Sequence, residues 1–471
     1  MINKRLNISK KNFLLFIYLV ILALIGPLIY WVNGESTRDN SSPISDNRQL
    51  NERISSGSNI LVTADSNVEK KAGVNAFAQK NYDTAAENFA AALRTVQNDP
   101  EALIYLNNAI ALASGDTYKI GVSVPIGGNL GVAKEILRGV AQAQNEINQG
   151  GGVNGKLVVV EIANDDNSPA IAEQIAKSFI KDRDILAVIG HNDSNASIAA
   201  APIYQAKGLV MITPTSSADI IPTIGTYIFR TTPNTRSLAS TLADYAVNTA
   251  NKTKFALCID SDSAVSKSFK EEFTWSVYNL GGKVLPTKCD FSAPDFLASK
   301  IVSRAISDGA EAILVAPSVT KVNKAVEIAR ANNDRLSLLS SHGMVTHSTL
   351  KDGNTTVNGM VGVVAWHPDI ESKNSFVKGA EALWGGSVGW RTAMAYDAAK
   401  TLFAGLEVAS SRDRLREVLA NRQFTAEGAT QSINFLPSGD RNMKGTIVRV
   451  QPGKSSGTGY DFVSFDSDSQ E

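Results

Sequence analysis

A chain of 471 residues is too long for one ordinary domain and long enough for two or three. Its 43% hydrophobic and 20% charged residues match a folded globular protein, which excludes a mainly disordered chain. The 46 basic and 46 acidic side chains cancel, so no global basic field would draw the chain onto nucleic acid.

Residues 13–32 contain no charged side chain. As a helix, at about 1.5 Å per residue, they span roughly 30 Å, the thickness of a bilayer core. Lys4, Arg5, Lys10 and Lys11 precede them with no acid among them. That asymmetry predicts a cytoplasmic N-terminus and a chain that continues outside the cytoplasm. A cleaved signal peptide is the rival reading, but its apolar core is usually shorter and no A-x-A-like site follows. The membrane-anchor reading, residues 1–33, is preferred, and both readings export the rest. Residues 34–66 are rich in Ser, Asn, Asp and Gly without an apolar period, and predict a flexible linker.

Residues 67–114 read as helical. Gly73, Ala85, Phe89 and Ala92 fall at the spacing of the tetratricopeptide helix pair, with Tyr82 at the turn and Pro100 three residues later than that pattern expects. The segment resembles a tetratricopeptide repeat, yet one repeat cannot bury its own face. A helical hairpin packed on a neighbouring domain accounts for it equally.

Beyond residue 117 strand and helix signals alternate. The periodicity predicts a strand at 120–124, a helix at 130–149 with Val132, Ile136, Val140 and Ile147 on one side, a strand at 157–162, a helix at 171–180 and a strand at 186–189. The pattern restarts with a strand at 255–259, a helix at 266–280, a strand at 312–316 and a helix at 322–331. Continuous apolar strands between helices predict parallel sheets covered on both faces, and two such units predict two lobes. Cys258 and Cys289 are the two cysteines. A disulfide and two buried thiols are both open, with buried thiols the plainer expectation.

Ligands of open parallel sheets bind beyond the carboxyl ends of strands, so the loops there carry the chemistry. Pro125-Ile126-Gly127-Gly128-Asn129-Leu130-Gly131 lacks G-x-G-x-x-G, and Asp165 lies 34 residues past Gly131, which argues against dinucleotide binding. In Gly190-His191-Asn192-Asp193-Ser194-Asn195, the Ser194 hydroxyl and nearby N–H groups suit a carboxylate, or Ser194 simply caps the helix. Thr213-Pro214-Thr215-Ser216-Ser217 suits the same anion, or is an ordinary polar turn.

The run Val188-Ile189-Gly190-His191, Ser194, Pro202-Ile203-Tyr204 and Gly208-Leu209-Val210-Met211-Ile212-Thr213-Pro214-Thr215-Ser216-Ser217 resembles the type I periplasmic binding proteins. Within that group it is most similar to the branched-chain amino-acid (Leu/Ile/Val) binding proteins of ABC transporters. Glu146-Ile147-Asn148, Asp165-Asp166, Ala395-Tyr396-Asp397-Ala398, Ile433-Asn434-Phe435 and Ser438-Gly439-Asp440 extend the likeness over about 118–450. The resemblance implies an α/β fold class, a two-lobed type I periplasmic binding fold of two parallel doubly wound sheets with a hinge, at 117–460. The first lobe would hold about 117–235 plus 367–420, and the second about 236–366 plus 421–460.

The resemblance also implies a site. Ser194 and Ser217 stand where the family holds the ligand's α-carboxylate, and Thr215 where it offers backbone. Ser318 and His342 stand at the positions of the tyrosine and glutamate that hold the α-ammonium, and a neutral histidine lacks the carboxylate's charge. Trp390 falls where the family offers an aromatic side chain. It would stack on the ligand, with Arg391 pairing an acidic group; core packing and a surface salt bridge are the plain alternatives. The aromatic contact after the first strand of the second lobe has no counterpart, since Val265-Ser266 stand near its place. The implied ligand is a small polar carboxylate, an amino acid or a derivative, passed to an ABC permease.

The four histidines, His191, His342, His347 and His367, show no metal-ligand spacing, and no G-x-S-x-G elbow occurs. No catalytic residue, metal or cofactor is expected. Helical repeats joined to this fold also resemble envelope proteins that activate peptidoglycan synthases. A membrane-tethered regulator, scaffold or sensor, with the helical segment docking an envelope protein, is therefore the alternative expectation.

Overall fold

The computed structural model describes residues 49–371, 374–430 and 432–465. The expected anchor at 1–33 and residues 34–48 of the expected linker lie outside them. Among the described residues no helix is long and apolar enough to cross a membrane.

Each lobe is built on its own sheet. The first holds β1 (Ile54–Ser55), β2 (Thr117–Val124), β3 (Leu157–Asn164), β4 (Ile185–Ile189), β5 (Val210–Thr213) and β6 (Ile228–Arg230), in the order β1-β3-β2-β4-β5-β6. Only β1 runs antiparallel to its neighbour. The central strands are buried along nearly their whole length, which is why they read as unbroken Val, Ile and Leu runs.

Three helices precede β2: α1 (Val68–Ala78), α2 (Tyr82–Thr95) and α3 (Pro100–Ser114). Asn67 and Asp99 cap α1 and α3 by accepting from Lys70 and Ala102 N–H groups. A Cβ at Gly73 would sit 2.7 Å from the Phe89 ring, so only glycine allows that approach. Phe77, Phe89, Leu103, Ile104 and Tyr105 join the same core as Ile120, Val122 and Val160. Asn108 of α3 accepts the Val160 N–H at 2.8 Å and donates to its carbonyl at 2.7 Å, so a side chain covers the edge of β3 that short β1 leaves open. The helical segment is thus built into the first lobe.

Residues 50–66, expected within the flexible linker, are ordered too. β1 adds an edge strand, Val62 is buried, and Arg53 pairs with Asp166 at 2.6 Å. The N–H groups of Leu61 and Val62 donate to Glu101 Oε1 at 2.7 and 3.2 Å. A polar composition concealed backbone groups that find partners only in the folded chain.

The first lobe continues with α4 (Leu130–Gln149), α5 (Pro169–Lys181) and α6 (Ser194–Ala206). On α4, Val132, Ala133, Ile136, Leu137 and Val140 are buried at three- and four-residue spacing, and Asn129 caps the helix. After β6 the chain crosses to the second lobe, with α7 (Thr235–Asp244) and α8 (Ala264–Asn279). The second sheet contains β7 (Lys254–Ile259), β8 (Lys283–Val284), β9 (Ala312–Ala316), β10 (Ser337–Ser340) and β11 (Val361–Val364). Helices α9 (Ala298–Ser307), α10 (Val322–Asn332) and α11 (His347–Gly353) alternate with its later strands. A second crossing returns α12 (Ser375–Trp384), α13 (Trp390–Val408) and α14 (Arg412–Leu419) to the first lobe. A Cβ at Gly139 of α4 would meet the Thr392 carbonyl at 2.2 Å, so glycine sets how closely α4 and α13 cross.

The return to the second lobe falls later than the expected 421. After β12 (Ala426–Glu427) and β13 (Ser432–Ile433), residues up to 441 remain on the first lobe. Buried Asp397 of α13 accepts from the Ala429 N–H, the Thr430 hydroxyl and Arg441, and Arg230 of β6 pairs with Asp440. Then β14 (Thr446–Pro452) and β15 (Tyr460–Ser464) complete the second sheet, in the order β15-β14-β11-β10-β9-β7-β8. Both run antiparallel to their neighbours, so each sheet is mixed, with a parallel centre, rather than parallel throughout as expected.

Cys258 and Cys289 form a disulfide, with Cα atoms 4.5 Å apart, which corrects the expectation of two free thiols. Beyond β8 the chain runs beside β7, where the Ile259 N–H donates to the Cys289 carbonyl at 3.2 Å, and that pairing aligns the sulfurs. Replacing both cysteines by alanine is expected to lower stability by about 2–4 kcal/mol, read as the urea midpoint. Equal midpoints for both proteins under oxidising conditions would show that the bridge contributes nothing.

Candidate ligand-binding site

Loops beyond the carboxyl ends of parallel strands face one another across the cleft. Ser194 and Thr215 from the first lobe, Ser318 and His342 from the second, and Trp390 and Arg391 at the start of α13 all line one cavity. The space open to water centres is ≈ 30 Å³. One water needs about 10–15 Å³ on this measure, so the cavity accommodates roughly two or three water-sized groups with the lobes together.

The first-lobe loops are tied down by their own hydroxyls. Asp193 caps α6, accepting from the Asn195 N–H at 2.8 Å, so Ser194 is not the cap. Burial pushes the Asp193 carboxyl up, opposed by the N–H groups of Asn195 and Ala196. The Ser194 Oγ accepts from the Ala218 N–H at 3.4 Å. Thr215 donates its hydroxyl to the Asn192 carbonyl at 3.0 Å, and Ser216 and Thr213 donate to the His191 carbonyl. Ser217 does not reach the cavity wall. It stands behind it, with Oγ 3.3 Å from His342 Nε2 across the lobes.

On the other side, polar atoms lack protein partners. His342 Nδ1, Trp390 Nε1 and Arg391 Nε are buried with no hydrogen bond among the described residues. Arg391 is 1% exposed, so it is no surface ion pair. Its Nη1 donates to the Val345 carbonyl at 3.0 Å and to Glu135 at 3.4 Å, while Nε and Nη2 remain uncommitted. That edge of a guanidinium is a planar fork matching a carboxylate. Burial pulls the Arg391 pKa down, with Glu135 opposing. The Trp390 ring lies 4.4 Å from the guanidinium carbon and meets His342 edge-on at 5.6 Å. Burial, helped by Arg391, lowers the His342 pKa to about 3, so the ring is neutral at physiological pH. The Ser318 hydroxyl is bonded to Thr320 at 2.9 Å.

Phe269 and Glu135 shape this site without having been named from the sequence. Phe269 lines the cavity one helical turn beyond Val265, and so supplies an aromatic wall where none was expected. The four-residue step along α8 was the available signal. Glu135, which holds Arg391, comes from α4 and carried no signal at all.

Several contacts require the lobes to be together. The Asn195 amide donates to the Asp262 carbonyl at 2.8 Å and accepts from the Ala264 N–H at 3.0 Å. The Asp219 N–H donates to Ser268 Oγ at 3.4 Å. Burial, then Glu272 of the second lobe, raises the Asp219 carboxyl to about 6, against Arg230 and Arg236. Since the folded value lies above the ordinary 3.8, the folded state binds the proton more readily, and stability from this group rises as pH falls from about 6 towards 3.8. Asp219→Asn is expected to remove that part of the pH profile, measured as melting temperature at pH 7 and pH 5. Superimposable profiles for the two proteins would refute it.

Fold and cleft together define a hinged two-lobe binding protein. The family described as periplasmic binding protein matches residues 117–457, and the chain belongs to it. It is a family of binding proteins rather than enzymes. An "Amino acid binding protein" of Pseudomonas aeruginosa is 27% identical over 247 residues, covering 51% of this chain and 65% of that protein. The chain therefore spans less than two thirds of that relative's length. A leucine binding protein from Thermotoga maritima superposes with a TM-score of 0.66 at 22% identity, covering 75% of this chain and 99% of that one. A solute binding protein of an ABC transporter from Rhodopseudomonas palustris, in complex with 3,4-dihydroxybenzoic acid, gives 0.63 at 19% identity, covering 75% and 98%. At these identities the structural likeness establishes the fold.

Proposed function

We propose that the protein captures a small carboxylate-bearing solute between its lobes, for an ABC importer, outside the cytoplasm. The observation that carries this reading is the uncommitted Nε–Nη2 edge of buried Arg391 at a cavity that Ser194 and Thr215 also line. Among the described residues no acidic side chain of the second lobe lines that cavity, and Asp193 of the first is committed to its helix. A free α-ammonium would therefore lack an electrostatic partner, and a carboxylate without one fits better. Relatives named for amino acids, and a fold neighbour holding a benzoic acid, support the ligand class.

The apolar, basic-flanked stretch at 13–32 supports membrane tethering. The disulfide supports an oxidising compartment. The tetratricopeptide-like pairing of α1 and α2 favours a second reading, in which the helical segment docks an envelope partner and the protein reports ligand occupancy to it.

Calorimetry against amino acids and matched acids lacking the amine tests the first reading. Binding of the acids over the parent amino acids is expected, with stabilisation of about 2.7 kcal/mol at a hundredfold excess over Kd. No heat from any carboxylate would end it.

A further inference from the structure

On the far side of Trp390 lies a larger cavity, ≈ 630 Å³ on the same measure, and Trp390 forms a wall of both. Lobe, hinge and extension all contribute to it. Lys134 and Arg138 come from α4, Val364 from the end of β11, Trp366 from the second crossing, and Phe462 from β15. Asn98, in the turn before α3, completes one side. Asn98 and Phe462 lie outside the residues that match the family, so this cavity is built partly by what this chain adds to the fold.

The charges lining it are mostly spent. Lys134 pairs with Asp65 at 2.7 Å, Glu135 with Arg391, and Asp461 accepts from the N–H groups of Ser455 and Ser456. Arg138 differs. Its Nε donates to Asn98 Oδ1 at 2.8 Å, and its Nη1 and Nη2 have no hydrogen-bond partner among the described residues. Asn98 thus holds the guanidinium in place while leaving its donors available. Trp366 is 3% exposed and its Nε1 has no hydrogen-bond partner among the described residues. Burial pulls the Arg138 pKa down despite Glu135 and Asp65, so its charge is under-compensated.

We propose that this cavity is a second ligand site, for an amphipathic anion whose acidic group meets Arg138 and whose apolar body lies along Val364, Trp366 and Phe462. Large cavities with apolar walls and a few directed polar groups at a lobe boundary are the usual form of small-molecule sites. The helical extension then has a ligand-binding purpose, because it positions both cations of α4 through Asn98 and Asp65.

Titration of the full chain with 1-anilinonaphthalene-8-sulfonate, a fluorescent apolar anion, tests the site. Saturable blue-shifted emission at one dye per chain is expected. Arg138→Gln should weaken it about tenfold or more through loss of a charge-assisted bond. Gly131→Phe should weaken it by occupying part of the cavity. Gly131 lines the cavity, and a Cβ there meets only Asn129 Oδ1, at 3.6 Å, so the helix tolerates the change. Absence of saturable binding would overturn the proposal, as would a titration unchanged by both substitutions. The titration does not depend on what the first cavity binds.

Discussion

Arg391→Gln is expected to weaken binding of a carboxylate ligand by about 30-fold to several thousandfold, the loss that follows when one member of a buried charged pair is removed. The glutamine amide ends about where Nε sits, so a neutral donor still faces the cavity, but the positive charge, the fork and the Nη1 bond to the Val345 carbonyl are lost. Arg391→Lys separates these two contributions, since it keeps the charge without the planar fork, and should fall between. Unliganded Arg391→Gln should melt close to the parent protein, because the substitution also relieves a buried charge whose compensation by Glu135 is long, at 3.4 Å. The comparison is made by calorimetry with the tightest acid found. An affinity within twofold of the parent would remove Arg391 from the site.

Lys70→Met is expected to cost about 3–5 kcal/mol of stability, with its effect concentrated in the helical segment. Lys70 Nζ lies 2.7 Å from both Asp99 Oδ2 and Glu101 Oε2, and all three side chains are essentially fully buried. Burial opposes the charge on Lys70, yet Glu101 and Asp99 together outweigh it and raise its pKa. Burial raises the Asp99 carboxyl, opposed by Lys70 and the Ala102 N–H. Without the ammonium two carboxylates share one dry pocket, and Glu101 also anchors the Leu61 and Val62 N–H groups. Hydrogen exchange should therefore rise in residues 60–112 before it rises in the sheets. Adding Asp99→Asn to Lys70→Met should recover part of the loss, since it removes one stranded charge. Unchanged exchange and an unchanged urea midpoint would show that the cluster is dispensable.

The sites at stake in these two experiments were unequally visible in the sequence. Ser194, Thr215, His342, Trp390 and Arg391 could be named because each follows a strand or opens a helix at a spacing the family shares. Their chemistry could not. Which edge of Arg391 is uncommitted depends on Val345 and Glu135, which approach from the other lobe and from α4. Ser217 looked equivalent to Ser194, yet its hydroxyl faces His342 behind the wall.

By itself the sequence determined the alternation of strands and helices, the parallel centres of the two sheets and the loops that form the cleft, because hydrophobic periodicity and capping residues act over a few positions. Tertiary structure alone decided that Cys258 meets Cys289, that 50–66 and 426–441 belong to the first lobe, and that Lys70, Asp99 and Glu101 share one buried site. Each of those depends on partners distant in the chain, where burial rather than spacing sets which polar groups must pair. The cleft is the clearest case: its loops were legible, but the donors left unpaired within it appear only when both lobes are in place.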